Sequence, residues 1–244
     1  MKSEYMIWIE EAKKRAAIEA AKNVKDQSIV GLGSGSTAAY AIKEIGRRVK
    51  EEGLKILGVP TSYQSFYLAV KYGIPTTTIH EYSRINLTID GADQIDPYLN
   101  LIKGMGGALT REKVIASISD RLVIVADERK LTDKLGKGQI VPVEILPFAE
   151  PVVTARIKEL GGKPSLRENR IGGPHITDNG NFILDIDFGV IEDPRKLDEK
   201  IKMIPGVVET GLFIGMAQTA YIGTEKTVKK ITKPCSGASS SSET

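Results

Sequence analysis

The chain is predicted to fold as an α/β protein: a mainly parallel sheet with helices on both faces, Rossmann-like, joined to a smaller ferredoxin-like α+β unit. Three observations predict this. Short β-rich runs alternate with helical stretches through the first half, which is the pattern of βαβ units. A glycine-rich turn stands directly between a strand and a helix at 31–37. Beyond Pro142 the order becomes βαββαβ, that of a split ferredoxin-like motif.

The opening helix is read from Ile9, Ala12, Ala16, Ala20 and Val24, which recur at three- and four-residue intervals as one apolar stripe. Strands are then expected at Ile29–Leu32, Ile56–Val59, Thr76–Ile79, Asn86–Ile89 and Leu122–Ala126, with helices at Thr37–Arg48, Gln64–Tyr72 and Thr110–Ser119. In the second unit the elements are strand Val143–Ile145, helix Val152–Leu160, strands Lys163–Arg167 and Phe182–Phe188, helix Pro194–Met203 and strand Val207–Leu212. The turn DNGN at 178–181 feeds the third of those strands. Residues from about Gly215 to Ile231, with AYIG and a short helix, are expected to return to the main sheet. The domain division is therefore 1–141 with 213–234 for the main unit and 142–212 for the small one. The Ser-rich tail 235–244 lacks aliphatic residues and is expected to be disordered.

Composition narrows the function classes. Apolar residues make up 41% and charged residues 27%, which fits a soluble protein and argues against disorder. The longest apolar runs, such as LVIVA at 122–126, are far too short to cross a bilayer. Thirty-four basic and 31 acidic residues leave a charge of +3, interleaved and not in blocks, so nucleic-acid binding gains no support. One cysteine, Cys235, makes no internal disulfide, and with only His80 and His175 there is no zinc spacing. A cytoplasmic protein without a metal is expected.

The richest stretch is IDGADQIDPYLNLIKGMGGALTREKVIA at 89–116. Asp90 and Asp93 fall at or beyond the carboxyl end of a strand, where open α/β sheets bind ligands. Asp and Gly after a strand also make ordinary tight turns, but a turn does not account for Lys103, Gly106, Gly107 and Glu112 following so closely. A glycine turn aims N–H groups at a developing oxyanion, and Lys103 adds positive charge. Glu112 falls in the first turn of the next helix, a position Glu also takes to complement the helix dipole. Asp96, before Pro97, reads as a turn former. GLGSGSTA at 31–38 offers unpaired N–H groups and the positive end of a helix to an anion, with Ser36 or Thr37 as N-cap. It has no P-loop ending, and Ser36 replaces the third glycine of a dinucleotide fingerprint. Alone, it reads equally as a phosphate cradle or a structural turn. TSYQS at 61–65 is a second hydroxyl-rich turn, either another wall of the pocket or a helix cap.

Together GLGSGSTA, TSYQS, DGADQID, LIKGMGGALTREK, LGKGQIVPVEILP, ITDNGNFILD and IPGVVETGLF, in this order from about Ala12 to Gly223, closely resemble the type A ribose-5-phosphate isomerases. The resemblance implies metal-independent, cofactor-free interconversion of D-ribose 5-phosphate and D-ribulose 5-phosphate through an enediolate, a step of the non-oxidative pentose phosphate pathway. It implies that Glu112 moves the proton between C1 and C2, that Lys103 and the N–H groups of Gly104, Met105 and Gly106 form the oxyanion site, and that Asp90 assists ring opening. Gly91, Ala92 and Asp93 would form the adjoining wall, and Ser34, Gly35, Ser36 and Thr37 the phosphate cradle. Lys137 in LGK would contact substrate, and Lys13 would lie near the phosphate. Family members usually form homodimers or homotetramers. Ser34 stands where many relatives have Thr and keeps the hydroxyl; GMGG stands where relatives commonly show GGGA or GRGA.

Two other readings share this layout. A sugar-phosphate deaminase-like enzyme would need a ring-opening histidine, which neither His80 nor His175 is placed to supply. A non-catalytic sugar-phosphate sensor would not need Glu112, and no DNA-reading segment precedes the domain.

Overall fold

The computed structural model describes residues 2–233; the predicted tail lies outside the described residues. In chain order the elements are α1 (Lys2–Ala21), β1 (Ser28–Leu32), α2 (Gly35–Glu52), β2 (Ile56–Pro60), α3 (Tyr63–Lys71), β3 (Leu87–Gly91), β4 (Gln94–Ile95), β5 (Leu101–Ile102), α4 (Leu109–Ser117) and β6 (Leu122–Asp127). There follow β7 (Val141–Ile145), α5 (Glu150–Glu159), β8 (Lys163–Leu166), β9 (Phe182–Asp187), α6 (Pro194–Lys202), β10 (Val207–Thr210), β11 (Leu212–Phe213), β12 (Thr219–Gly223) and β13 (Val228–Thr232).

The main sheet runs β13-β12-β6-β3-β1-β2 and is parallel except for the edge strand β13. Its central strands are buried on both faces, as the period of two in β6 shows. Val123 and Val125 pack with the alanines of α1, Ile42 and Ile45 of α2 and Ala69 of α3. Leu122, Ile124 and Ala126 face the other way, onto Leu99, Leu101, Ala116 of α4 and Phe213. The predicted stripe of the first helix is fully used: Ile9, Ala12, Ala16, Ala20 and Val24 are all buried. The chain leaves β1 for β2 on one side and returns to β3 on the other. The carboxyl ends of β1 and β3 therefore flank a topological switch point, where such sheets leave a crevice.

A four-stranded antiparallel sheet, β10-β7-β9-β8, carries α5 and α6 on its own core of Val143, Ile145, Val153, Ile157, Leu184 and Ile201. Its strand order is that of the ferredoxin-like motif. A third small sheet, β11-β5-β4, was not foreseen; it joins the segment after β10 to the one after β3. Among the described residues no helix is long and apolar enough to cross a membrane.

Three expectations differ from the structure. Thr76–Ile79 makes a single bridge, Thr76 to Gly58, because the chain turns away at Thr78, whose carbonyl accepts from Glu81 and Tyr82. The short helix expected near the end is instead a hairpin: the Thr224 N–H bonds the Thr227 carbonyl, and β13 pairs along β12. Finally, Leu212 is not part of the last strand of the small sheet. The chain breaks at Gly211, whose N–H bonds Pro142 O while its carbonyl accepts from Lys103 N, and Leu212 passes into β11.

Candidate active site

The first wall of the crevice is the start of α2. Helix α2 begins at Gly35, and Ser34, not Ser36 or Thr37, is its N-cap. Ser34 has extended backbone but makes no side-chain capping bond. Its hydroxyl is drawn instead to Thr61 Oγ1 at 2.7 Å and Ser62 Oγ at 2.5 Å, so TSYQS is tied to this wall. Ser62 also caps α3 through Ser65 N, so the turn is a helix cap that supports Ser34 from behind and does not itself line the cavity. An N-cap whose hydroxyl points elsewhere leaves first-turn N–H groups of α2 without an intrahelical partner, which suits an anion. The Gly35 N–H is the exception, since it donates to Gln64 Oε1. Lys13 Nζ lies 3.3 Å from Ser36 Oγ and 2.8 Å from Glu10, bringing a cation to the same rim.

The second wall is the end of β3. Asp90 is 1% exposed, and its Oδ1 accepts from Ser34 N at 3.0 Å and Gly91 N at 2.7 Å. Gly33 permits that approach: a Cβ there would lie 2.2 Å from Asp90 Oδ1. The other oxygen, Oδ2, is 3.0 Å from Lys103 Nζ. Lys103, itself 3% exposed, also donates to Gly91 O at 2.6 Å and stands over the Phe213 ring. Burial opposes its charge, but Asp90 and Glu112 outweigh burial and hold its pKa above the usual lysine value.

Glu112 enters from the first turn of α4, its Oε2 3.4 Å from Lys103 Nζ. That oxygen is buried and has no hydrogen-bond partner in the protein. Burial, and then the Asp90 carboxylate, push the Glu112 pKa up to about 8, with Lys103 pulling against them. A carboxylate so perturbed in a crevice has the marks of a functional acid or base.

The turn 104–107 roofs this cluster. Gly107 N bonds Gly104 O, and Met105 N donates to Asp93 Oδ2 at 3.0 Å. Gly107 has φ of +79°, and a Cβ there would meet His175 Nε2 at 2.6 Å, so only glycine fits.

These groups surround one cavity of about 160 Å³, lined by the Ser34–Thr37 turn, Gly91–Asp93, Lys103, Gly104, Gly106, Glu112 and Lys13. Its volume and polar lining suit a small polar ligand and not a dinucleotide. Larger surface grooves of about 730 and 580 Å³ contain none of the Asp90, Lys103 and Glu112 cluster.

Three predicted residues lie apart from the cavity wall. Asp90 sits behind Lys103 with both oxygens engaged. Met105 is 45% exposed and contributes its N–H to Asp93. Lys137 projects at the surface and pairs with Asp133 at 3.1 Å, while its carbonyl accepts from Gln94. Two residues that sequence reasoning missed, Arg129 and Lys130, do line the cavity. They follow the carboxyl end of β6, and the strand-end rule that singled out Asp90 applied equally to them.

A model of the family described as ribose 5-phosphate isomerase A (phosphoriboisomerase A) matches residues 57–227. The chain is 54% identical over 220 residues to ribose-5-phosphate isomerase A of Methanosarcina acetivorans, covering 90% of this chain and 93% of the relative. Over 218 residues it is 45% identical to the enzyme of the same name from Methanothermobacter thermautotrophicus, covering 89% and 96%. Its fold matches the ribose 5-phosphate isomerase A structure from Methanocaldococcus jannaschii with a TM-score of 0.88 at 44% identity, covering 92% of this chain and 99% of that one. A D-ribose-5-phosphate isomerase solved in complex with phospho-erythronic acid gives a TM-score of 0.90 at 43% identity, with the same coverage. This chain is therefore a member of the ribose 5-phosphate isomerase A family of aldose-ketose isomerases.

Proposed function

We propose that the chain interconverts D-ribose 5-phosphate and D-ribulose 5-phosphate with Glu112 as the group that carries the proton between C1 and C2. The observation that carries this reading is the Glu112 carboxyl: buried, orphaned at Oε2, 3.4 Å from a buried ammonium, and lining a cavity whose other wall is an uncapped helix start. The phosphate fits the turn Ser34–Thr37 where the N–H groups and hydroxyls of Ser36 and Thr37 are left to it, with Lys13 alongside. The open-chain sugar then extends toward Glu112. Removing the C2 proton places negative charge on oxygen, and Lys103 with the glycine-turn N–H groups supplies the stabilisation.

Ring opening needs a proton moved between a sugar hydroxyl and the ring oxygen. The resemblance assigns that help to Asp90. Asp90 is held behind Lys103, whereas Asp93 lines the cavity, so the geometry favours Asp93 for contact with the hydroxyls and Asp90 for fixing Lys103.

Glu112→Gln keeps the size of the side chain and removes the base. Ketose formation from ribose 5-phosphate should fall by at least about 10²-fold while phosphate affinity is largely kept. A variant turning over near the wild-type rate refutes the role. The same assay run with and without chelator separates the alternatives: an isomerase of this kind works in both, a deaminase prefers amino sugars, and a sensor makes no ketose.

The assembly expected of the family fits Tyr63, Tyr67 and Val70, apolar side chains exposed on α3. Sedimentation of the purified chain tests for a homodimer or homotetramer. The small sheet, residues 142–212 by the sequence division, is assigned the part of a cover braced against the glycine turn.

A further inference from the structure

Arg167 immediately follows β8 of the small sheet, its N–H still bonding Ile183 O, far in sequence from every catalytic group. Its guanidinium is fully occupied. Nε donates to Asp185 Oδ2 at 2.8 Å, and the Nη2 group donates to Asp185 Oδ1 across the β8–β9 pair. Its remaining nitrogen, Nη1, crosses to the glycine turn and donates to Gly104 O at 2.9 Å and Met105 O at 3.1 Å. A cross-strand ion pair alone would not send the third nitrogen into the active-site roof. The side chain is 11% exposed, so the bonds to Asp185 and to Gly104 O form with little competition from water, while the bond to Met105 O lies at the surface.

Two carbonyls held on one side determine where the following N–H groups point, because C=O and N–H lie on opposite sides of a trans peptide and no cis bond occurs among the described residues. With Gly104 O on Arg167, the Met105 N–H faces Asp93, to which it donates. With Met105 O on Arg167, the Gly106 N–H is turned away from Arg167, and Gly106 lines the cavity. Glycines on both sides of Met105 give this turn wide backbone freedom, which its own Gly107 N–Gly104 O bond restricts only in part.

We infer that Arg167 is a positioning residue for isomerisation: it clamps the two carbonyls of the 104–107 turn so that the Gly106 N–H is presented to the oxygen that becomes negative in the enediolate. Asp185 is the counter-ion that orients the clamp. The inference rests on the isomerase reading above, because only a reaction that develops charge at that oxygen makes use of the presented N–H. Charged donors on the two carbonyls also polarise their peptides and strengthen the N–H groups as donors.

The test measures kcat, KM, inhibition and thermal midpoint for Arg167→Ala, Arg167→Lys and Asp185→Asn. Loss of the clamp should lower kcat of Arg167→Ala by on the order of 10²-fold, the scale of a misplaced catalytic group, with KM for ribose 5-phosphate and inhibition by inorganic phosphate within about threefold. Inhibition by phospho-erythronic acid, whose carboxylate stands in for the enediolate oxygens, should weaken in parallel with kcat/KM. Arg167→Lys, with one ammonium in place of a fork, should fall between the two enzymes. Asp185→Asn should lower the thermal midpoint more than kcat.

An Arg167→Ala enzyme that keeps kcat within about threefold, or loses phosphate and aldonate affinity equally, overturns the inference. If Arg167→Ala does not fold, Arg167→Lys decides by the same two criteria. Failure of the underlying reading looks different: there Glu112→Gln is active, whereas failure of this inference leaves Glu112→Gln inactive and the Arg167 variants unimpaired.

Discussion

Replacing Lys103 with methionine removes a buried cation from beside two buried carboxyl groups. Its ammonium lies 3.0 Å from Asp90 and 3.4 Å from Glu112. At an effective dielectric of about 20, the attraction to Asp90 at 3.0 Å is about 5.5 kcal/mol before desolvation is counted. Glu112, with its pKa pushed up, is largely protonated at neutral pH, so Asp90 is the partner left stranded. Stranding one member of a buried pair costs about 3–5 kcal/mol, and that is the loss expected in denaturant unfolding. Turnover should fall separately, by about 10²–10³-fold, the effect of losing one oxyanion donor. The double variant Lys103→Met with Asp90→Asn separates the two effects. Asparagine keeps an oxygen for the Ser34 and Gly91 N–H groups and removes the stranded charge, so stability should largely return while activity does not. Initial rates of ketose formation and urea midpoints are the measurements. Recovery of activity in the double variant to within about tenfold of wild type would show that Lys103 only neutralises Asp90; an unchanged midpoint in the single variant would show that the charges are not buried as argued.

With Glu112 as the base, its raised pKa should place the acid limb of kcat/KM near pH 8, above the usual carboxylate range, and Asp93→Asn should move that limb down, since the Asp93 carboxylate is among the groups raising it. For stability the sign is opposite to that of a salt-bridged acid: the contribution of Glu112 is complete below pH 4.5 and is lost as pH rises through about 8, so Glu112→Gln should raise the thermal midpoint more at pH 9 than at pH 5. Glu144 of β7, fully buried, accepts from Thr110 at 2.6 Å, Thr177 at 2.9 Å, Asn179 at 3.0 Å and Asn181 at 2.8 Å. Glu144→Gln can keep most of these bonds and should cost about 1–2 kcal/mol in denaturant unfolding, whereas Glu144→Leu strands four donors and should cost more than about 3 kcal/mol; equal costs would refute the accounting.

The strands of the main sheet were legible because their side chains alternate or run apolar over a handful of residues, and β6 does both. Asp90, Lys103 and Glu112 were legible as a group because three local signals, a strand end, a glycine turn and a helix start, lie within 23 residues of chain. Ser34 was misread as preceding the cap, since choosing among Ser34, Ser36 and Thr37 depends on where the hydroxyl finds partners, and those partners, Thr61 and Ser62, lie a whole βα unit away. Thr76–Ile79 has the composition of a strand, but a strand also needs a neighbour along its length, and only Thr76 finds one. Arg167 could not be read at all. Its part depends on the β8–β9 register, which pairs Ser165 with Asp185 and so lets Arg167, two residues on, reach Asp185 diagonally, and on the packing of one sheet beside the other's loops.

The small sheet thus reaches the chemistry at two points that local sequence does not reveal. Arg167 holds the carbonyl side of the glycine turn, and Glu144 holds Thr110, two residues before Glu112. The turn and the start of α4 are the two segments that would keep the proposed donor and base in register, and each is tied by a charged side chain to a β-strand and not to another loop. Elements with their own hydrogen-bonded ladders move less than loops do, so anchoring both segments to one sheet fixes their separation more tightly than the turn's own backbone allows. Asp178 extends the same bracing to the phosphate side, its carboxylate accepting from Tyr63 N at the start of α3 while Arg111 of α4 bonds its carbonyl. On the proposed reaction, a cavity holding a phosphate at one end and moving a proton at the other depends on that distance, and the braces just named come from a unit that contributes none of the proposed catalytic residues.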